Sequence, residues 1–214
     1  METDRPEENS PIRIRKARLD DLGVLKKVVA RAFDRDPFVN WMVIQDEKRT
    51  KRIELFCETG TKHYALQYEH VFTTEDCSGV TIWFPPEPRD CWNTSTLKDL
   101  SIIHKWISIM GIRKMPSRLH GYGVMKKHHL KNVKEPHYYL NVMCVDPAHQ
   151  SKGIGSALVQ HGLRMCNEKE VPAYLEAGTE KNLRFYQGHG FKMIEEFLLP
   201  ANGPKTWPMI YEPQ

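Results

Sequence analysis

The chain has 214 residues, long enough to bury a core without disulfide or metal staples. Its apolar and charged fractions, 40% and 27%, are ordinary for a globular protein and exclude collagen-like or low-complexity chains. A formal net charge of +4 is too small to argue for nucleic acid, although it suits an anionic ligand. Cys57, Cys77, Cys91, Cys144 and Cys166 are odd in number and lack zinc spacing. With no signal peptide and no long apolar run, the expectation is a reduced, soluble, cytoplasmic protein with no metal and no nucleic-acid or membrane partner.

Residues 1–11 are polar and rich in Pro and Glu, as in a flexible tail. Residues 12–214 are expected to form a single domain. Ile12 to Arg18 alternates apolar and basic residues, the pattern of a strand with one wet face. Asp20 and Asp21 start a helix that carries Leu22, Leu25, Val28, Val29, Ala32 and Phe33 at helical spacing, and Asp34 to Pro37 breaks it. Phe38 to Ile44 is an apolar loop or short helix whose aromatics either pack in the core or wall a cleft. Glu47 to Leu66 reads as a second helix. Glu69–Thr74 and Val80–Phe84 read as strands joined by a turn at Glu75–Gly79, and Pro85-Pro86 ends the second.

Residues 87–136 form a helical insertion. Leu97, Leu100, Ile103, Ile107 and Met110 predict a helix stopping at Gly111, and a weaker one follows Pro116 with Leu119, Val124 and Met125. The many lysines and arginines here make either a solvated face or a lid over a cleft. His128-His129 has no further ligand at a useful spacing, so no metal site is read there.

His137 to Val145 is an apolar, β-branched central strand that Asp146-Pro147 stops. Gln150-Ser-Lys-Gly-Ile-Gly155 then opens a helix with Ile154, Ala157, Leu158, His161, Gly162 and Met165 on one face. A strand, a tight glycine turn and a helix N-terminus together make an anion site. The spacing is neither the Walker G-x-x-x-x-G-K-[ST] nor the dinucleotide G-x-G-x-x-G, because Leu158 stands where a third glycine would be needed. Val171–Ala177 is the next strand, parallel through a crossover. Glu180–Gln187 is a short helix, Phe191–Leu198 a strand, Asn202–Pro204 a turn and Thr206–Tyr211 the last strand.

The phrase Gln-x-x-Gly-x-Gly after a Val-Asp-Pro turn resembles the pyrophosphate loop of the GNAT superfamily of acyl-CoA-dependent N-acetyltransferases. Glu180 to Phe191 is similar to that family's N-x-x-x-Y phrase ahead of G-F, with Asn182 one helical turn before Tyr186. Val80 to Pro86 more loosely resembles the puromycin-type small-molecule acetyltransferases. The resemblance implies an α/β (α+β layered) fold: a mixed, mostly antiparallel sheet with a splayed central strand. It implies acetyl-CoA as acyl donor, direct transfer to a primary amine and no metal. It assigns Met143, Cys144 and Val145 to the pantetheine arm and Gln150, Ser151, Lys152, Gly153, Ile154, Gly155 and Ser156 to the pyrophosphate. Asn182 would bond the cofactor arm, and Tyr186 would sit near the thioester sulfur.

A phenol of pKa ~10 can protonate a departing thiolate, which suits Tyr186 to the role of acid. An alkylamine must lose a proton before attack. Glu176, at the end of the strand beside the cleft, is the candidate base, unless it only pairs with a surface lysine; His137 is a lesser candidate. Cys144 lacks an evident histidine partner for a covalent route. Phe38, Trp41, Trp83 and Trp207 suggest a closed pocket, hence a small-molecule amine as partner. A peptide or protein acceptor, or a non-catalytic acyl-CoA sensor, is the alternative. Monomer and homodimer both stay open.

Overall fold

A computed structural model describes residues 12–60, 70–86 and 100–214. The expected tail, the last turn and a half of the second helix, and the first residues of the insertion lie outside the described residues. The strands are β1 (Ile14–Lys16), β2 (Val71–Thr74), β3 (Gly79–Phe84), β4 (Tyr138–Val145), β5 (Ala173–Ala177), β6 (Lys192–Met193), β7 (Phe197–Leu198) and β8 (Lys205–Tyr211). They form a sheet in the order β1-β2-β3-β4-β5-β8-β6, with β7 also on β8. All pairings are antiparallel except β4–β5, as the crossover between them requires. The helices are α1 (Leu22–Ala32), α2 (Pro37–Met42), α3 (Arg49–Gly60), α4 (Leu100–Met110), α5 (Met115–Asn132), α6 (Ile154–Lys169) and α7 (Glu180–Gln187). No helix among the described residues is long and apolar enough to cross a membrane.

Strand alternation sorts side chains to the two faces. On β3, Val80 and Ile82 pack with Leu25, Val28 and Val29 of α1, whereas Trp83 packs with Val159 and Leu163 of α6. On β4 the parity changes midway. Tyr138 and Leu140 join the α6 side, yet Val142 and Cys144 join the α1 side. The register explains the switch: Trp83 pairs with Leu140 and Ile82 with Val142, so Asn141 is an extra, bulged residue. On β5, Ala173, Leu175 and Ala177 face α6, while Tyr174 packs on the side of α2 to α5; alternation sends Glu176 to that second side.

Two expectations are corrected in detail. The single strand expected over Phe191–Leu198 is two short ones, β6 and β7. Ile194–Glu196 holds one residue more than Trp207–Pro208, the part of β8 it faces, and Pro208 has no N–H to give the ladder. The insertion helix expected after Pro116 starts at Met115, with the proline in its first turn, and runs to Asn132. Glu195, freed from the ladder, accepts hydrogen bonds from Lys131 at 3.0 Å and Asn132 at 2.8 Å and pairs with His128 Nδ1 at 2.7 Å, which docks α5 on the sheet edge.

The α6 face depends on one close approach. Trp83 is fully buried against α6, and a Cβ added at Gly162 would lie 2.1 Å from its ring. Only glycine lets helix and indole meet there. Gly162→Ala is therefore predicted to destabilise the fold by about 1–3 kcal/mol through overpacking. A denaturation midpoint unchanged from the parent would show that Trp83 can move aside.

Candidate functional site

β4 and β5 pair through only two positions, Tyr138↔Ala173 and Tyr139↔Tyr174, and then part. A cavity of about 250 Å³ occupies the gap. Because it passes between strands, it is lined from both faces of the sheet. Asn182 and Tyr186 of α7 reach it from the α6 side, and Glu176, Tyr139 and Val142 from the other. Phe33, Asp36, Phe38 and Phe56 wall it from α1 to α3, and Trp106, Met110, Leu119, Tyr122 and Met125 from the two insertion helices. Of the four aromatics expected around a pocket, Phe38 alone lines it. Trp83 and Trp207 lie in the α6-side core, and Trp41 is buried beneath the guanidinium of Arg118, 4.3 Å above its ring. Alternation and length could not tell a core indole from a cleft one.

Glu176 is a buried carboxyl, its side chain 5% exposed, and its Oε1 makes no hydrogen bond among the described residues. Burial raises its pKa to about 7, against the opposing pull of the Tyr139 and, next, Tyr174 hydroxyls. Tyr174 Oη makes no hydrogen bond of ordinary geometry, so Tyr139 is the stronger partner. No lysine pairs with Glu176 among the described residues; the basic group nearest its Oε1 is His129 Nδ1, at 3.7 Å. Tyr186 is buried at 7% exposure, and burial, followed by the negative thiolate form of Cys144, raises its phenol above the usual range. It is therefore protonated at neutral pH. Asp36 caps α2 by accepting from Val39 N–H at 2.9 Å; its own pKa is also raised, chiefly by burial. Cys144 is enclosed in the α1-side core and burial lifts its thiol far up, which leaves it inert as a nucleophile.

The glycine loop lies at the other end of β4. Asp146 accepts from Ala148 N–H at 3.1 Å and from Arg31 Nε at 3.0 Å, so the turn after the strand is pinned to α1. Gln150 Nε2 donates to Val145 O at 3.2 Å and folds the loop back. Ser151 and Gly153 adopt left-handed φ of 63° and 81°, and α6 begins at Ile154 with no side-chain cap. Its first N–H groups are thus open to an anion. A Cβ at Gly155 would meet its nearest neighbour, Phe185, at 3.5 Å, an ordinary contact. Packing does not demand glycine there; close approach of a ligand would.

The sequence-assigned residues fall into three groups. Met143, Glu176, Asn182 and Tyr186 line the cavity. Gln150, Ser151, Lys152 and Gly153 form the exposed loop, and Gly155 and Ser156 the first turn of α6. The side chains of Cys144, Val145 and Ile154 are buried, so only their backbone can serve a ligand. Asp36 and Asn141 were not singled out in the sequence, and His129 was weighed there only as half of a His128-His129 pair lacking a further metal ligand. The Asp-Pro start of a helix was the available sign for Asp36; nothing local marked the bulge. Among the described residues no group of three His, Cys, Asp or Glu is arranged to hold a metal ion.

Comparison with known proteins agrees with this geometry. In the solved structure of histone acetyltransferase HPA2 and related acetyltransferase from Corynebacterium glutamicum, 98% of the chain superposes on 96% of this one, with a TM-score of 0.68 and 22% identity. Arylalkylamine N-acetyltransferase 2 of Aedes aegypti gives 0.63 at 12% identity, over 96% of this chain and 100% of that one. The Drosophila melanogaster polyamine N-acetyltransferase, which forms N-acetylagmatine, gives 0.63 at 10% identity over 94% and 100%. At such identities the shared property is the fold. An uncharacterized N-acetyltransferase of Schizosaccharomyces pombe is 28% identical over 120 residues, 51% of this chain and 49% of the relative, so the chain spans about half the length of that curated relative. Residues 78–191 match the acetyltransferase (GNAT) family, and that match contains the bulged strand, the glycine loop and the Asn182–Tyr186 helix: the chain belongs to the acetyltransferase (GNAT) family.

Proposed function

We propose that the protein acetylates the primary amine of a small, largely apolar molecule by direct transfer from acetyl-CoA. The observation that carries this reading is the meeting of Glu176 and Tyr186, from opposite faces of the sheet, in one cavity at the β4–β5 parting. The residues present fit acetyl-CoA: an uncapped helix N-terminus, a glycine that packing does not require, and an edge of β4 beyond Tyr139 that β5 leaves unpaired. Gln150 to Ser156 would hold the pyrophosphate through backbone N–H groups, and Met143 to Val145 with Asn182 the pantetheine arm. When bound, acetyl-CoA supplies an acetyl carbon activated by its thioester.

The chain's own groups handle the protons. Ionised Glu176 takes one from the incoming ammonium, whose free pKa of ~10 would otherwise keep it unreactive. Tyr186 Oη gives the proton that neutralises the departing sulfur and is reprotonated by the second proton that the attacking nitrogen loses on becoming the amide. A backbone N–H near the bulge can stabilise negative charge on the acyl oxygen. The aromatic and aliphatic walls exclude water and accept an apolar body. Their volume of about 250 Å³ lies below the usual ~300–1,000 Å³ of ligand pockets, which supports a small acceptor over a peptide. If a lysine peptide outcompetes every small amine in a competition assay, the acceptor class is wrong.

Three variants test the assignments. Gly155→Asp is expected to weaken acetyl-CoA binding at least about tenfold in calorimetry, since a carboxylate would occupy the phosphate's place; equal affinity would reduce the loop to a turn. Tyr186→Phe should lower kcat by about 10²-fold with cofactor affinity kept, and unchanged rates across pH 7–9 would remove it as the proton donor. Glu176→Gln should lower kcat by about 10²–10⁴-fold and abolish the rise of kcat with pH through about 7. The same change should stabilise the protein at pH 8. The folded pKa exceeds the ordinary 4.5, so the stability this group contributes is present below 4.5 and is lost as pH rises through about 7. A melting temperature at pH 8 no higher than the parent's would contradict a buried, ionised Glu176.

A further inference from the structure

The insertion places an imidazole behind the proposed base. His129 of α5 is 1% exposed and is held between the rings of Tyr174 and Tyr139, at 4.1 and 4.8 Å between centroids. Its Nδ1 faces Glu176 Oε1 at 3.7 Å, a gap that a small rotation of either side chain closes to hydrogen-bond distance. Its Nε2 meets Nε2 of His137 at 2.6 Å. His137 is half-buried, and its Nδ1 lies 2.7 Å from the carbonyl oxygen of Glu135 on the exposed approach to β4. Glu176 lines the cavity, so these contacts join the cavity to the surface.

One backbone carbonyl sets the direction of the whole chain. A carbonyl oxygen only accepts, so His137 Nδ1 carries the proton in the neutral ring and its Nε2 is bare. His129 Nε2 must then be the donor of the 2.6 Å bond, which leaves His129 Nδ1 bare and turned toward Glu176 Oε1. Every donor therefore points outward, away from the cavity. We propose that Glu176, His129 and His137 form a proton exit, with both histidines as positioning residues that clear the base after each turnover. The proposal rests on Glu176 being the base of the reaction above.

The step balances. An N–H bond of the ammonium breaks and an O–H bond forms on Glu176. That proton passes to His129 Nδ1 while His129 Nε2–H passes to His137 Nε2 and His137 Nδ1–H passes to water. Each ring gains one proton and loses one, and one proton leaves for each amine acetylated. The resting tautomers return when the rings turn or exchange with water. Burial, then the charge of His137, lowers His129 to about 3, so it passes a proton without holding one. Other ionisable groups face the route: Tyr174 and Tyr139 flank the His129 ring, and His128 and Lys131 of α5 pair with Glu195. Tyr174 is raised by burial, and Glu195, beside His128 and Lys131, is held near 2 by its hydrogen bonds. Asp36 and Tyr139 face Glu176 from across the cavity and along β4.

Two measurements test the route. Long-range ¹H–¹⁵N spectra of the ¹⁵N-histidine-labelled protein, assigned with His129→Gln and His137→Gln, should show His129 protonated on Nε2 and His137 on Nδ1; His129 protonated on Nδ1 would overturn the proposal. In amine acetylation, His137→Ala should lower kcat about tenfold, less than loss of a group acting directly on the amine. KM should stay unchanged, the pH profile should shift, and added imidazole should restore the rate. A His137→Ala enzyme with parental kcat and pH profile, or a loss that imidazole does not restore, would also overturn it. Absence of turnover in the parent with every amine would instead fault the acceptor reading, and the spectra would still decide the tautomers.

Discussion

The parting of β4 from β5 is the constraint on which the site depends. Parallel strands joined by a crossover helix normally stay paired along their shared length. Here the ladder ends after Tyr139 and Tyr174, and the backbone edge of β4 beyond that point has no strand partner on the β5 side. The bulge at Asn141 lies next to the point of divergence and bends the strand away. It also reverses which residues face which layer. Cys144 is thereby sunk into the α1-side core while Met143 turns to the opposite layer. The gap is what lets Tyr186 from one face of the sheet and Glu176 from the other share one cavity.

The helices α4 and α5 wall that gap on one side. They bring Trp106, Met110, Tyr122 and Met125 over the opening, and Glu195 ties α5 to the far edge of the sheet. Burial has an energetic consequence. A carboxyl removed from water favours its neutral form, so Glu176 is lifted from the ordinary 4.5 to about 7, where it can take a proton and give it up again. The folded state bears the cost of a buried group with one unbonded oxygen. Such a cost at a cavity wall is a common signature of groups kept for chemistry.

The far end of β4 is organised by different forces. Arg31 and Ala148 N–H hold Asp146, and this acidic residue, kept below the usual carboxylate range chiefly by the Arg31 hydrogen bond, secures the turn into the glycine loop. α6 then starts uncapped, with its N–H groups and dipole directed outward. Its other side is locked onto the sheet by Trp83 over Gly162. β4 thus borders a cavity along its middle and leads at its end into the glycine loop and the uncapped start of α6.

Sequence by itself determined the order of elements, because hydrophobic period, Pro-Pro and Asp-Pro stops, and the glycine turn are local properties. It also determined the family phrase from Gln150 to Gly155 and the pairing of Asn182 with Tyr186 on one helical face. The single strand expected from Phe191 to Leu198 failed because its break lies in the partner strand, at Pro208. Only the tertiary structure decided which aromatics wall the cavity, since Phe38 and Trp41 stand three residues apart on the same helix and differ only in what lies above them. The bulge at Asn141 is a property of register between β3 and β4, invisible in an unbroken apolar run. The meeting of Glu176, His129 and His137 joins residues from β5, α5 and the approach to β4. No local pattern encodes that contact, because it arises from how an insertion packs across a sheet.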